Sequence, residues 1–124
     1  MAVKLNRKGF AFGKELVNEG RSVRDERDAC SEDQPSPERE NEFIRAHGIK
    51  AYAKWHLGID TEHPEDTKGR YKFPFGDFKR VHRCSVLSAE SRAGQYKHMD
   101  IERAAAHLHA MIDGKKHKVR AASV

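Results

Sequence analysis

Residues Asp100 to Gly114, DIERAAAHLHAMIDG, carry the clearest helical pattern in the chain. Apolar side chains recur there at every third or fourth position, which places them on one face of a helix; they are Ile101, Ala104, Ala105, Leu108, Met111 and Ile112. Asp100 is suited to begin this helix, and Gly114 is predicted to end it. Residues 115–124, KKHKVRAASV, are basic and weakly apolar, which predicts a disordered tail.

Two other segments repeat apolar residues at helical spacing. In the first, Asn6 is a candidate N-cap and Gly20 a candidate end. Gly13 weakens this helix, and close packing against a neighbour would explain its presence there. In the second segment, the helical pattern begins at Val81 and runs into the alanine-containing stretch that precedes Asp100.

The middle of the chain predicts one or two helices and an extended segment. Ser36 and Pro37 supply an N-cap and a first helical residue, and apolar residues then recur at helical spacing up to Leu57. The sequence leaves open whether Gly48 separates two helices or bends a single one. Together these patterns predict a mainly α fold, with four to five helices around one small core and a short extended or hairpin segment near residues 70–79.

Length and composition indicate one domain. A chain of 124 residues, of which 37% are apolar and 35% charged, is long enough for one modest core. We expect a single helical domain over residues 1–114, with an acidic, irregular connection at 21–36. No segment has the roughly 20 apolar residues needed to cross a bilayer, so we expect no membrane partner. The two cysteines form no CxxC pair, which suits a reducing compartment, so we expect a cytoplasmic protein. The distant positions of Cys30 and Cys84 favour unpaired thiols over a disulfide.

Charge is distributed along the chain in blocks of alternating sign, within a net charge of +5. Between Asp25 and Glu42, eight acidic and two basic residues give −6; between Thr67 and His98, eight basic and two acidic residues give +6. The acidic block can fold over the basic one, or both blocks can be solvated faces of the protein. The sequence leaves this open.

The most distinctive part of the basic block is the stretch Lys68–Arg83, KGRYKFPFGDFKRVHR. Seven of its sixteen residues are Lys, Arg or His, and four of the ten aromatic residues of the chain lie between them. Such a segment can contact phosphates with its cations and stack an aromatic ring on a base. The alternative is that its rings are core anchors. The predicted binding residues are Lys68, Arg70, Lys72, Lys79, Arg80, Arg83 and Tyr71.

The sequence predicts no catalytic, cofactor or metal site. The eight histidines are not spaced as ligands of one ion, and the chain has no phosphate-binding loop. Because no constellation of catalytic residues is recognised, the sequence favours a non-catalytic protein. An enzyme that uses His82 and Cys84 with Asp77 is the remaining alternative. The helical stripe that Cys84 shares with Val81 and Leu87 favours a buried structural cysteine instead.

The stretch DTKGRYKFPFGDFKRVHRCSVLSAESRAGQYKHMDIERAAAHLHAMID, with KWHLGID before it, resembles a small family of bacterial proteins of similar length. These carry a TKGRYKFP(F/Y)GDF…VHR segment. The resemblance covers most of the chain apart from the basic tail and implies a bacterial, cytosolic protein; it implies no activity. The segment from Arg70 to Ile112 is also similar to a region of phage head-assembly proteins, which implies an assembly or adaptor role. Neither resemblance supplies catalytic residues.

Two functions therefore compete at the level of sequence. The first is a binding module for nucleic acid or another polyanion, through the basic aromatic stretch. The second is a protein-interaction or assembly module, in which the acidic and basic blocks pair with each other, within one chain or between chains.

Overall fold

A computed structural model describes residues 3–25 and 35–123, with side chains for residues 3–25 and 35–114. These residues form five α-helices and five short strands. The helices are α1 (Arg7–Asn18), α2 (Pro37–His47), α3 (Ile49–Ala53), α4 (Arg83–Gln95) and α5 (Met99–Ser123). The strands are β1 (Val3–Leu5), β2 (Ser22–Val23), β3 (His56–Asp60), β4 (Tyr71–Pro74) and β5 (Val81–His82), and a 3-10 turn at Lys68–Arg70 precedes β4.

Strands β1, β3 and β4 form an antiparallel sheet with β3 in the centre. Lys4 lies opposite Ile59 across the first pair, and Gly58 lies opposite Lys72 across the second. Strands β2 and β5 form a separate parallel pair. The fold of the described residues is therefore rich in helix but mixed α/β, and the prediction of a mainly α fold is correct only in part.

The predicted helix at residues 49–57 is wrong in its second half, because helix α3 ends at Ala53 and strand β3 begins at His56. Asn6 provides the physical reason. Its backbone N–H donates to the carbonyl of Leu57 at 2.8 Å, and its side-chain amide donates to the carbonyls of Ala53 and His56 at 2.9 and 3.0 Å. These are carbonyls that a continuing helix would need for its own N–H groups.

Gly48 separates α2 from α3 rather than bending one helix. Its φ of 90° lies in the left-handed region that favours glycine. The predicted start of α2 is confirmed, since Ser36 Oγ accepts a hydrogen bond from the N–H of Arg39 at 3.3 Å. Near the C-terminus, the backbone of α5 continues to Ser123, so Gly114 does not end this helix as predicted. One glycine costs a helix only about 1 kcal/mol, which its flanking turns can offset.

Two predictions concern segments that lie largely outside the described part of the chain. Most of the acidic connection predicted at 21–36 lies outside the described residues, and within the remainder Ser22–Val23 forms β2. The side chains of residues 115–124 also lie outside the described part, so the disordered basic tail stays a prediction. The extended segment near residues 70–79 is present as β4, followed by a turn that a bridge between Gly76 and Val81 closes.

The hydrophobic core lies between α1, the α4–α5 pair and the three-stranded sheet. Gly13 of α1 packs against α5, and a Cβ at this position would lie 3.3 Å from Leu108 Cδ1, which confirms the expected close packing. Phe75 is fully buried, and Phe73 and Phe78 pack against the core. The three phenylalanines of the basic stretch are therefore core anchors and are not free to stack on a ligand.

Candidate functional site

A cleft of about 1130 Å³ lies between the start of α1, helix α3 and the loop that precedes β4. We call it the basic cleft. Tyr71 lines it together with five aliphatic residues, Leu5, Ile49, Ala51, Ala53 and Ile59. Six cationic residues also line it: Lys4, Arg7, Lys8, Lys50, Lys54 and Arg70.

None of these six cations forms an ion pair within residues 3–25 and 35–114. Arg70 Nη1 donates to the carbonyl of His63 at 2.8 Å, and Lys54 Nζ lies 5.6 Å from the centre of the Phe12 ring. These contacts orient the two side chains but bring no carboxylate to them. The cleft is also lined by three carboxylates, so six positive and three negative groups give it a formal charge of +3; the carboxylates are Glu65, Asp66 and Asp100.

The carboxylate of Asp100 is engaged by backbone N–H groups. Its Oδ2 accepts a hydrogen bond from the N–H of Leu5 at 2.9 Å, and its Oδ1 accepts one from the N–H of Ile101 at 2.9 Å. These bonds join β1 to the start of α5 and partly offset the negative charge. The basic cleft therefore has a surplus of positive charge, which attracts anions.

The buried side chain of Asn6 positions Arg7 and Lys8 at the cleft. Its bonds to the carbonyls of Ala53 and His56 fix the start of α1 against the connection between α3 and β3. Gly9 allows this approach, because a Cβ at that position would collide with the carbonyl of His56. Since the Asn6 side chain makes no capping bond to α1, the first turn of this helix has no side-chain acceptor, and its dipole adds to the positive potential.

Tyr71 places a fixed aromatic ring beside the cations. Its hydroxyl donates to the carbonyl of Glu65 at 2.7 Å, and its ring centre lies 6.1 Å from the ring centres of Tyr52 and His56. Burial is the largest effect on the pKa of Tyr71 and raises it, so the hydroxyl stays neutral near pH 7. Tyr71 thus adds an uncharged aromatic residue to the lining of a positively charged cleft.

Two of the predicted binding residues are neutralised by carboxylates of the same chain. Lys68 Nζ lies 2.9 Å from a carboxylate oxygen of Glu40, and Arg83 Nε lies 3.1 Å from one of Asp113. Because Glu40 belongs to the acidic block, that block does reach the basic one. Within the described residues, the acidic block forms an ion pair with Lys68 but with no other Lys or Arg of the basic stretch.

The other predicted binding residues lie in three places. Arg70 and Tyr71 line the basic cleft. Lys79 and Arg80 are exposed in the turn after β4, where Oδ1 of Asp77 accepts hydrogen bonds from their backbone N–H groups at 3.0 and 2.8 Å. The remaining cation, in β4, is half-buried; it is Lys72.

A buried group of charged residues, which we call the His82 cluster, lies beside this turn. His82 Nδ1 is 2.8 Å from a carboxylate oxygen of Asp25, and Nε2 is 2.8 Å from one of Asp77; the His82 side chain is only 6% exposed. Burial lowers the pKa of His82, but the hydrogen bonds to Asp77 and Asp25 outweigh it and raise this pKa above its ordinary value. Both ring nitrogens are therefore engaged, and the cluster is a structural link between the turn and the segment that follows β2.

Cys84 is fully buried, as predicted, but its sulfur is not a free thiol. It is disulfide-bonded, and the only other cysteine of the chain is Cys30, which lies outside the described residues. The prediction of unpaired thiols is therefore wrong. That prediction rested on the distance between the two cysteines along the chain, which does not limit their distance in the fold: Asp25, although 59 residues before Cys84, accepts a hydrogen bond from its N–H at 2.8 Å. Without a thiolate, the enzyme alternative has lost its nucleophile.

Sequence reasoning missed five of the six cations of the basic cleft: Lys4, Arg7, Lys8, Lys50 and Lys54. The available signal was the charge of the first 24 residues, where six basic and two acidic residues give +4. The aromatic rings among these cations, Phe10 and Phe12, repeat at helical spacing with other apolar residues, which favours a packing role over a binding one. The cleft forms only when β1 pairs with β3 and the Asn6 side chain bonds to the end of α3.

Within the described residues, no group of three or more His, Cys, Asp or Glu side chains could hold a metal ion. None of the helices in that part of the chain combines the length and the apolar character needed to span a bilayer. No protein-family model, curated protein or solved structure matches the chain. The resemblances to a bacterial family and to phage head-assembly proteins therefore stay predictions.

Proposed function

We propose that this protein is a non-catalytic module that binds nucleic acid through the basic cleft. The observation that carries the proposal is the concentration of six cations in one cleft, with none of them paired to a carboxylate among the described residues. The phosphates of a nucleic acid would supply the missing negative charge, and the release of their counterions would favour binding. Arg70 and Tyr71 belong both to the cleft and to the predicted basic stretch.

The uncharged part of the cleft favours nucleic acid over other polyanions. Sulfated polysaccharides and polyphosphate present charge but no flat apolar rings, and they would leave Leu5, Ile49 and Ile59 in contact with water. A base has a flat face that can cover such side chains and contact Tyr71. The cleft therefore complements both chemical parts of a nucleotide.

Lys72, Lys79 and Arg80 are proposed as secondary contacts. They form no ion pair with any of the described carboxylates, and Lys79 and Arg80 are exposed. A nucleic acid longer than the cleft would pass beyond its lining residues, where additional cations can contact its phosphates.

The competing assembly function requires the acidic and basic blocks to pair between chains. The described contacts between these blocks include the ion pairs of Glu40 with Lys68 and of Asp25 with His82, which join distant segments of the fold. They stabilise the fold, and this favours nucleic-acid binding as the function of the cations that remain unpaired.

The proposal is tested by removing charge from the cleft without changing the fold. The double substitution Lys50→Gln and Lys54→Gln removes two exposed cations, one from the second residue of α3 and one directly after this helix. Fluorescence anisotropy with a labelled oligonucleotide is expected to show affinity lower by on the order of 30-fold at about 0.1 M salt, because two phosphate contacts are lost.

The matched control is the double substitution Arg45→Gln and Arg92→Gln. It removes the same charge from two exposed helix ends that do not line the cleft. We expect this control to bind as the wild type does. An equal loss of affinity in both variants, or no binding by the wild type at low salt, would contradict the proposal.

A further inference from the structure

Resting on the proposed function, we infer that the ligand of the basic cleft is single-stranded nucleic acid. One base would lie against Tyr71 and the aliphatic lining, while the phosphates on either side of it contact the surrounding cations.

The size and lining of the cleft favour a single strand over a duplex. Its volume of about 1130 Å³ is slightly above that of typical small-ligand pockets, about 300–1,000 Å³. A duplex keeps its bases stacked inside and presents a sugar–phosphate surface and groove edges. Such a rod would contact exposed cations such as Lys50 but would leave Ile49 and Ile59 uncovered. An unpaired base can leave the strand and enter the cleft.

The geometry of Tyr71 carries the second step. Its ring meets the Tyr52 ring at 76° and the His56 ring at 46°, with both centres 6.1 Å away, so neither neighbour stacks flat against it. The hydrogen bond from its hydroxyl to the carbonyl of Glu65 holds the ring in place. A base that stacks on Tyr71 would therefore find a surface already ordered, which lowers the entropic cost of binding.

The distribution of the cations carries the third step. They come from three separate parts of the chain: residues 4–8, residues 50–54 and Arg70, which directly precedes Tyr71. A single strand that enters the cleft has phosphates on both sides of the inserted base, and several chain segments can contact them. The planar guanidinium of Arg70 suits a two-point contact with a phosphate.

The experiment compares three labelled probes of equal length by fluorescence anisotropy: an oligothymidine strand, a duplex of that strand with oligoadenosine, and a strand without bases. We expect the wild type to bind the oligothymidine more tightly than either of the others. Tyr71→Ala should weaken oligothymidine binding by about 5- to 150-fold, which is the range for one stacked base, and should leave the affinity for the base-free strand unchanged.

Tyr71→Phe is the matched control, because it keeps the ring and removes only the hydroxyl that bonds to Glu65. It should bind oligothymidine nearly as the wild type does. If circular dichroism shows Tyr71→Ala to be unfolded, Tyr71→Leu takes its place, because it keeps apolar bulk but has no flat ring, and it should weaken oligothymidine binding in the same way. Equal affinity for the duplex and the single strand, or for the strands with and without bases, would overturn this inference alone. Failure of all three probes to bind would overturn the proposed function as well.

Discussion

His82 lies between Asp25 and Asp77, so the protonation of its ring is linked to folding. Because the pKa of His82 is raised in the folded protein, its contribution to stability is complete below about pH 6.5 and is lost as the pH rises through the raised value. Burial raises the pKa of Asp77, but the hydrogen bonds from His82 and from the N–H groups of the turn outweigh it and lower this pKa. The Asp77 contribution is therefore complete above about pH 3.9 and is lost as the pH falls through the lowered value.

The substitution Asp77→Asn tests the His82 cluster while it preserves the turn. The asparagine Oδ1 can still accept the backbone N–H groups of Lys79 and Arg80, but its side chain has no charge to pair with His82. We expect the free energy of unfolding to fall by about 2 kcal/mol near pH 6. The loss should be smaller at about pH 9, where the free imidazole ring is neutral.

Urea denaturation of the wild type and of this variant at the two pH values measures both effects. The account predicts that the two proteins differ more at the lower pH. A loss of the same size at both values would mean that the charge of Asp77 does not stabilise the folded state through His82.

At the scale of elements, the start of α1 approaches β3 too closely for a side chain at Gly9. We expect Gly9→Ala to lower the free energy of unfolding by about 2 kcal/mol or more, because its Cβ would collide with the backbone carbonyl of His56. That carbonyl cannot move without disturbing the hydrogen bond from Asn6. Thermal denaturation followed by circular dichroism provides the measurement.

Gly114→Ala is the control for this prediction. It makes the same change inside a helix, at a position where nothing lies within 4 Å of the added Cβ. It should raise the free energy of unfolding by about 1 kcal/mol, through helix propensity alone. If Gly9→Ala were as stable as Gly114→Ala, the close contact between α1 and β3 would be refuted.

Helices with a long apolar stripe could be predicted from the sequence, as the pattern that contains Ile101 and Leu108 illustrates. Among the strands, β4 could be predicted as the extended segment near residues 70–79. Strands β1 and β3 could not, because β1 is only three residues long and β3 begins where a helical pattern still continues. His56 and Leu57 are buried in the central strand, and a segment buried in that way lacks the alternation that identifies a strand. The preference of the chain for a strand arises from tertiary hydrogen bonds to Asn6.

The candidate site could be predicted only at Arg70 and Tyr71. Spacing within one stretch led to the expectation that neighbouring cations act together, but Lys68 and Arg83 are paired with carboxylates from distant parts of the chain. The cations that do share a cleft with Arg70 come from other segments, such as Lys50 in α3. The spacing of residues in the sequence does not show which distant segments lie side by side in the fold.

On the scale of the whole molecule, folding pairs part of the charge of the chain and leaves another part free. The described contacts of the acidic block stabilise the structure through Glu40 and Asp25. The basic cleft keeps a formal charge of +3, from six cations and three carboxylates. The central claim of this account is that this uncompensated charge binds the phosphates of a nucleic acid.

The dependence of binding on salt tests this claim most directly. If all six cations contact phosphates of a single strand, a plot of log affinity against log salt concentration should have a slope of about −4, at about 0.7 per contact. The variant with Lys50→Gln and Lys54→Gln should give a slope of about −3, and the control with Arg45→Gln and Arg92→Gln should match the wild type. A wild-type slope near zero, or a slope that the cleft substitutions leave unchanged, would contradict the account.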